Sequence, residues 1–392
     1  MSRPLDGIVV VDLTNAVAGA SALRLLAGLG AEVRKLESPQ GGDFMRAFMP
    51  TMFGALNRDK RSVAIDVRRP QGVELVRRLV AGSDVFVESM RPGAAERLGF
   101  GREQLVAENP RLVYASLSGY GSTGPDRSKR SIDAVIQAES GLGVFQGDVL
   151  AQTAAVDLAA GLALAHAIVA SVLLRERTGE IEHVEVSLLD TALYLQTAAL
   201  SSFSVTGVQP DEHFTTPRPL VGTYDTADRP LFIGAFWEKD WPALCEVLGR
   251  PDLLVDARYG TAGLRREHQE ELRETLAVEL RQRPRREWLG LFERHGVIAG
   301  ELRDYREVFA DPQVRAAGSL ETFPVGEGGG QMVTAPRPPY RLVGGDGFRA
   351  QGPAPALGAD TGAVLATLGL RPEEIGALVA DGVVASEEEG HT

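Results

Sequence analysis

The chain has 392 residues, long for one hydrophobic core, so two domains are the natural division. Its 41 basic residues against 53 acidic ones leave a formal charge of −12, which argues against nonspecific binding to nucleic acid or to an anionic membrane. A single cysteine, Cys245, excludes a disulfide within the chain and a cysteine-built zinc cage, and fits a reducing, cytoplasmic setting.

Gly7 to Leu13 (GIVVVDL) is a short apolar run typical of a buried parallel strand. A small-residue turn follows at Ala18-Gly19-Ala20-Ser21, then a helical pattern over Ala22 to Leu29 and a second strand over Glu32 to Glu37. This is a βαβ unit, but its turn offers one glycine where the dinucleotide fingerprint GxGxxG needs three, so no nicotinamide cofactor is expected. Strands over Ser62 to Val67, Asp84 to Glu88 and Arg111 to Leu117, with a proline-led helix over Pro70 to Ala81, continue the alternation of a wound, mostly parallel sheet.

Val156 to Asp190 is the most distinctive stretch. It places Asp157 before a run of Ala, Leu, Val and Ile without charge until Arg175, then a Thr178-Gly179 stop and an alternating strand, His183 to Leu188. Length and helix formers predict a helix over Leu158 to Arg177, apolar on nearly every side and therefore buried on every side. The run sits at the short limit for a bilayer span, holds Gly161, His166 and Ser171, and leads straight into strand-like sequence, so a core helix is expected rather than a membrane segment. His166 reads as a satisfied core histidine. Taken alone, Asp157 reads as a plain N-cap.

Pro210 to Pro219 reads as a connector, and the pattern restarts from Leu220. A strand over Pro230 to Ala235 and helices over Trp241 to Leu248, Glu267 to Gln282, Arg286 to His295 and Val308 to Ala317 suggest a smaller α+β domain. Val325 to Gly330 is glycine-rich loop, Thr361 to Leu368 and Glu373 to Val379 are tail helices, and Ser386 to Thr392 is an acidic, disordered end. The expected division is therefore 1–209, 220–325 and a segment 335–392.

No Walker A, HExxH, GxSxG or paired CxxC motif occurs, and none of the six histidines sits at metal-ligand spacing, so no metal is expected. The local signal is basic. Arg58, Lys60, Arg61, Arg68 and Arg69 fall within a dozen residues, and Arg91, Arg97 and the Arg127, Lys129, Arg130 group lie beside strand ends or glycine turns. Such positions suit phosphate; a solvated charged face is the alternative.

Several ordered motifs together resemble the class III CoA-transferases, a family with formyl-CoA and carnitine CoA-transferase-like members that also includes 2-methylacyl-CoA racemases. They include Val11-Asp12-Leu13-Thr14, Leu29-Gly30-Ala31-Glu32-Val33, Asn57-Arg58-Asp59-Lys60-Arg61-Ser62, Arg91-Pro92-Gly93, Gly119-Tyr120-Gly121, Gln137-Ala138, Ser187-Leu188-Leu189-Asp190 and Asp311-Pro312-Gln313. The resemblance implies a Rossmann-like large domain built from the N-terminal half plus the C-terminal segment, a smaller domain between, and an interlocked homodimer. It implies coenzyme A, carried as acyl-CoA, as the group handled, and a free carboxylic acid as the other substrate. It makes Asp157 the nucleophile, sets Arg68, Arg97 and Arg130 against the CoA phosphates, and places Val17, Ser89 and Met90 along the CoA path.

The departures narrow the reading. Ser38 stands where some members carry arginine, leaving that phosphate contact missing or supplied by Arg34 or Lys60. Racemases place a histidine where Ile132 stands, and isoleucine cannot move a proton, so the resemblance favours a transferase. An acyl-CoA racemase or isomerase and a non-catalytic acyl-CoA binder are the alternatives. Val17 and Ile132 replace the Gln and aromatic of formyl/oxalyl-type members, which favours a more apolar acyl group. No glycine-rich flap is evident in Thr215 to Gly222.

Overall fold

Six short strands lie side by side and parallel in a seven-stranded sheet. They are β1 (Val9–Leu13), β2 (Glu32–Glu37), β3 (Arg61–Ile65), β4 (Val85–Glu88), β5 (Val113–Ser118) and β6 (Val184–Ser187). The structure, a computed structural model, describes residues 3–146, 149–209, 219–325, 330–342 and 352–386. Strand order is β3-β2-β1-β4-β5-β6, and the two-residue strand Val384–Ala385 pairs antiparallel with β3 to complete the edge.

Helices cover the sheet because its strands are apolar on both sides. One core gathers Val11, Leu36, Val63, Ile65, Leu79 and Phe86 with Val364 and Leu365 from the C-terminal segment. Elsewhere the helices Val17–Gly28 and Ala155–Thr178 pack against each other along their length. Their contact depends on small residues: a Cβ added at Gly161 would lie 2.8 Å from the Ala18 carbonyl oxygen and closer still to Ser21 Oγ. The expected turn at Ala18-Gly19-Ala20-Ser21 is therefore helix, its small side chains spent on close packing rather than on chain reversal.

Two expectations for the long helix are corrected. It is not buried all round: Leu158, Leu162 and Leu173 are 39, 46 and 53% exposed in the chain, on a stripe that includes an exposed His166. His166 is thus no core histidine. Apolar composition hid the amphipathic arrangement, because leucine and alanine stand on the open face as well as the packed one.

The chain divides into two compact units, one of residues 1–143, 149–200 and 319–392, the other of residues 144–148 and 201–318. The second unit holds an antiparallel sheet of β7 (Val221–Tyr224), β8 (Leu231–Gly234) and β9 (Ala299–Glu301). The helices Asp240–Leu248, Gln269–Leu280 and Arg285–His295 bury Trp241, Leu244, Leu276, Trp288 and Phe292 in its core. Asp311-Pro312 splits the expected Val308 to Ala317 helix into Tyr305–Ala310 and Pro312–Ala316, with Asp311 capping the second by accepting the Val314 N–H. Leu320–Val325 (β10) and Gln331–Pro336 (β11), unforeseen because Pro324 and Pro336 interrupt their patterns, form an antiparallel hairpin. The turn between them, most of the Pro210 to Pro219 connector and Thr215 to Gly222 segment, and nearly all of Ser386 to Thr392 lie outside the described residues.

Candidate active site

The sheet order reverses between β1 and β4, and the crevice beyond the carboxyl ends of such strands is where open α/β sheets bind ligands. The turn after β1 leads to Val17, the segment after β4 begins with Ser89 and Met90, and the loop after β5 carries Arg130. Asn15 donates its N–H to Ser89 Oγ at 2.9 Å, tying the first two across the reversal. Gly119 lets the loop fold back, since a Cβ there would collide with Ser131.

A cleft of about 440 Å³ opens at this edge, lined by Ser89, Met90, Arg91, Arg130, Ile132 and Val135 among others. Arg91, Arg127 and Arg130 all face it, and among the described residues none has a carboxylate partner, whereas Lys129 is held by Glu139. Uncommitted guanidinium groups beside a polar backbone loop suit a phosphate ester. Ile132 is 66% exposed, its side chain on the wall of the cleft.

Asp157 lies in the first turn of its helix, not at the cap: Ala154 takes that place and offers no side-chain bond. The backbone N–H of Asp157 donates to Asp133 Oδ2 at 2.9 Å, and Asp133 Oδ1 accepts from the Gln137 amide. Burial, and secondarily the neighbouring Asp133 charge, pushes the Asp157 carboxyl up to about 7. A carboxyl held this way gives up its proton at a higher pH than an ordinary aspartate. Sequence reasoning missed the part played by Asp133; the signal was the Asp133-x-x-x-Gln137 spacing, one helical turn, in the helix Asp133–Glu139.

The expected residues do not all meet. Ser89, Met90 and Arg130 share the cleft, while Val17, Arg68, Arg97 and Asp157 do not line it. Val17 and Arg68 follow β1 and β3 on the same edge, and four strand spacings separate β3 from β5, roughly 19 Å. Arg68 is exposed and hydrogen-bonded to Asp66 and Gln40, and Arg97 is exposed on the short helix Ala94–Arg97.

The basic run is mostly neutralised. Arg58 pairs with Glu321, Lys60 with Asp12, Arg61 with Glu32, and Arg68 and Arg69 with Asp66. Lys60 and Arg34 are therefore unsuited to bind the phosphate that Ser38 cannot hold: Lys60 is fully buried and Arg34 is bound to Glu32. Beneath the β1 turn, Lys35 lies 2.9 Å from Asp43 and 3.9 Å from Asp12, and Lys60 lies 3.5 Å from Asp12. Burial presses the Lys60 amine down to about 7, whereas in Lys35 the charges of Asp12, Asp43 and Glu37 more than offset burial and raise it.

Taken together, a doubly wound sheet with a cation-lined cleft beyond the carboxyl ends of β4 and β5, and a half-buried aspartate nearby, defines an α/β protein with a basic crevice at its strand ends. The sequence model of CoA-transferase family III matches residues 5–361. The succinyl-CoA:glutarate CoA-transferase of Homo sapiens is 33% identical over 98% of this chain and 91% of its own. The probable fatty acyl-CoA transferase Rv3272 of Mycobacterium tuberculosis is 34% identical over 93% of this chain and 98% of its own. The crystal structure of a CAIB/BAIF family protein from Brucella suis superposes with a TM-score of 0.82 at 31% identity, covering 94% of this chain and all of that one (100%). The chain belongs to CoA-transferase family III.

Proposed function

We propose that this transferase moves CoA from an acyl-CoA donor to a free carboxylic acid through covalent intermediates on Asp157. The observation that carries the reading is the placement of Asp157, half-buried in the first turn of its helix with its N–H on Asp133 Oδ2, where burial and the Asp133 charge raise its carboxyl to about 7. A desolvated carboxylate of raised pKa is more nucleophilic than a solvated one, and a thioester is an activated acyl donor.

In this reading an Asp157 carboxylate oxygen attacks the thioester carbonyl. The C–S bond breaks, CoA leaves as thiolate, and a mixed anhydride joins Asp157 to the acyl group. The thiolate then attacks the aspartyl carbonyl, releasing the donor acid and leaving an aspartyl-CoA thioester. The acceptor carboxylate attacks that thioester, forming a second anhydride and freeing the thiolate once more. Thiolate attack on the acceptor's acyl carbonyl yields the new acyl-CoA and restores the Asp157 carboxylate. Thioester energy is conserved throughout, so no nucleotide hydrolysis is required.

Arg91, Arg127 and Arg130 are suited to the CoA phosphates, with Ser89 and Met90 in the cleft and Val17 beside Ser89 along the same CoA path; Arg68 and Arg97 are assigned as outer contacts. Ile132 supports transfer over racemisation, because proton exchange at the acyl α-carbon calls for a second base beside Asp157. The exposed leucine stripe of the long helix supports a homodimer. The single, buried Cys245 supports a reducing, cytoplasmic setting.

Incubation with succinyl-CoA, acetyl-CoA or a long-chain acyl-CoA and hydroxylamine, followed by peptide mass mapping, tests the chemistry. A donor-dependent hydroxamate at Asp157 is expected, and Asp157→Ala should lower turnover by about 10³-fold or more. Deuterium entering the acyl α-carbon in heavy water without any hydroxamate would instead mark an isomerase.

A further inference from the structure

The turn from β1 into the Val17–Gly28 helix is strained. Ala16 has φ 70° and ψ −161°, a region essentially reserved for glycine, and a non-glycine residue persists there only where its surroundings over-determine it. Those surroundings are built from buried charge. Asp12 Oδ1 accepts the Thr14 N–H at 2.8 Å and the Thr14 hydroxyl at 2.6 Å, and Lys35 Nζ donates to the Thr14 carbonyl at 3.0 Å. Beyond the strained residue, Lys60 Nζ donates to the Ala20 carbonyl at 3.1 Å and to Asn57 Oδ1 at 2.8 Å. Asp43 completes the group beside Lys35 and is pinned in turn by the Met45 N–H at 2.9 Å.

All four ionisable side chains are at most 1% exposed. Burying four ionisable groups is a poor route to stability, since apolar side chains of similar volume usually serve as well. Their placement is specific: every backbone group they grip lies in Thr14 to Ala20 or in the segments packed beneath it. Fixing one backbone conformation accounts for that placement, and general stabilisation does not.

We propose that Lys35 and Lys60, with Asp12 and Asp43, are positioning residues that clamp Thr14 and Ala20 from below and so hold the strained Ala16 turn in the shape that receives acyl-CoA beside Ser89. This rests on the reading of Val17 and Ser89 as part of the acyl-CoA path. The clamp touches no reacting atom; it sets the fraction of molecules whose crevice is ready.

Steady-state kinetics of Lys35→Met and of Lys35→Met/Ala16→Gly test the clamp. Released from its hold, the turn relaxes, and the KM for acyl-CoA rises about tenfold while kcat and the KM for the acceptor acid change less than about twofold. Glycine adopts the same φ and ψ unaided, so the double variant recovers the acyl-CoA KM to within about threefold of wild type. A Lys35→Met enzyme that only melts earlier, or whose raised KM glycine does not rescue, overturns the proposal. If Lys35→Met does not fold, Thr14→Val removes only the hydroxyl donated to Asp12; a smaller rise rescued by Ala16→Gly is expected, and a flat KM overturns the idea. The wild type separates the two readings. Without saturable acyl-CoA turnover the site assignment fails and the clamp with it, whereas a saturable wild type beside unresponsive variants sinks the clamp alone.

Discussion

In the proposed reaction, protonation decides whether Asp157 can act as the nucleophile. Its carboxyl is raised to about 7, first by burial and then by Asp133, so the active anion accumulates as pH rises through that value. For the free enzyme, kcat/KM for acyl-CoA is expected to climb along a limb centred near 7. Asp133→Asn keeps an oxygen to accept the Asp157 N–H but removes a neighbouring negative charge, so the limb should move to lower pH. It stops short of an ordinary aspartate, because burial remains. A limb unmoved in that variant would show Asp133 to be structural only. The proposed nucleophile was singled out in the sequence through family motifs alone; by position it read as a cap. What no motif carried was the pairing of Asp157 with Asp133, 24 residues earlier, which exists only once two helix starts are brought together.

Helix against helix is where the sequence was both informative and misleading. Ala and Leu over the long run specified a helix correctly, yet the same small residues upstream, Ala18 to Ser21, resembled a turn because smallness serves chain reversal and close packing alike. Gly161 shows which use prevailed. Gly161→Ala places a methyl against Ser21 and the Ala18 carbonyl, and a backbone carbonyl has little room to yield. A loss of about 1–3 kcal/mol in urea unfolding is expected, the range for overpacked interiors. An unchanged midpoint would mean that the two helices separate more readily than their packing implies. Strands such as β1 and β4 were legible because burial on both faces makes them nearly continuous apolar runs. The hairpin of β10 and β11 was not, since proline and a glycine-rich connection erased its alternation. The basic run misled for another reason: sequence displays its five cations but not the carboxylates, as distant as Glu321, that neutralise most of them.

For the whole molecule, the open leucine stripe raises the question of what covers it. A stripe carrying Leu158, Leu162 and Leu173, with His166 among them, on a helix this apolar is poorly suited to water. In solution the protein is expected at twice its 42.0 kDa chain mass by light scattering. Leu162→Glu should shift that mass toward one chain. A wild-type protein found at single-chain mass would leave the stripe to some other cover.

The pairing of Val384–Ala385 with β3 also sets a timetable for synthesis. The edge strand and the helix carrying Val364 and Leu365 emerge some 300 residues after the strand they cover. At about 5–20 residues per second, β3 leaves the ribosome roughly 15–60 s before its last neighbour exists. Throughout that interval Val63, Ile65 and Leu79 lack part of their cover, and an unpaired β3 edge stands open to other chains. The intervening unit, with its own sheet and core, emerges whole in the meantime. Nascent chains halted before residue 361 are therefore expected to aggregate more readily than completed ones.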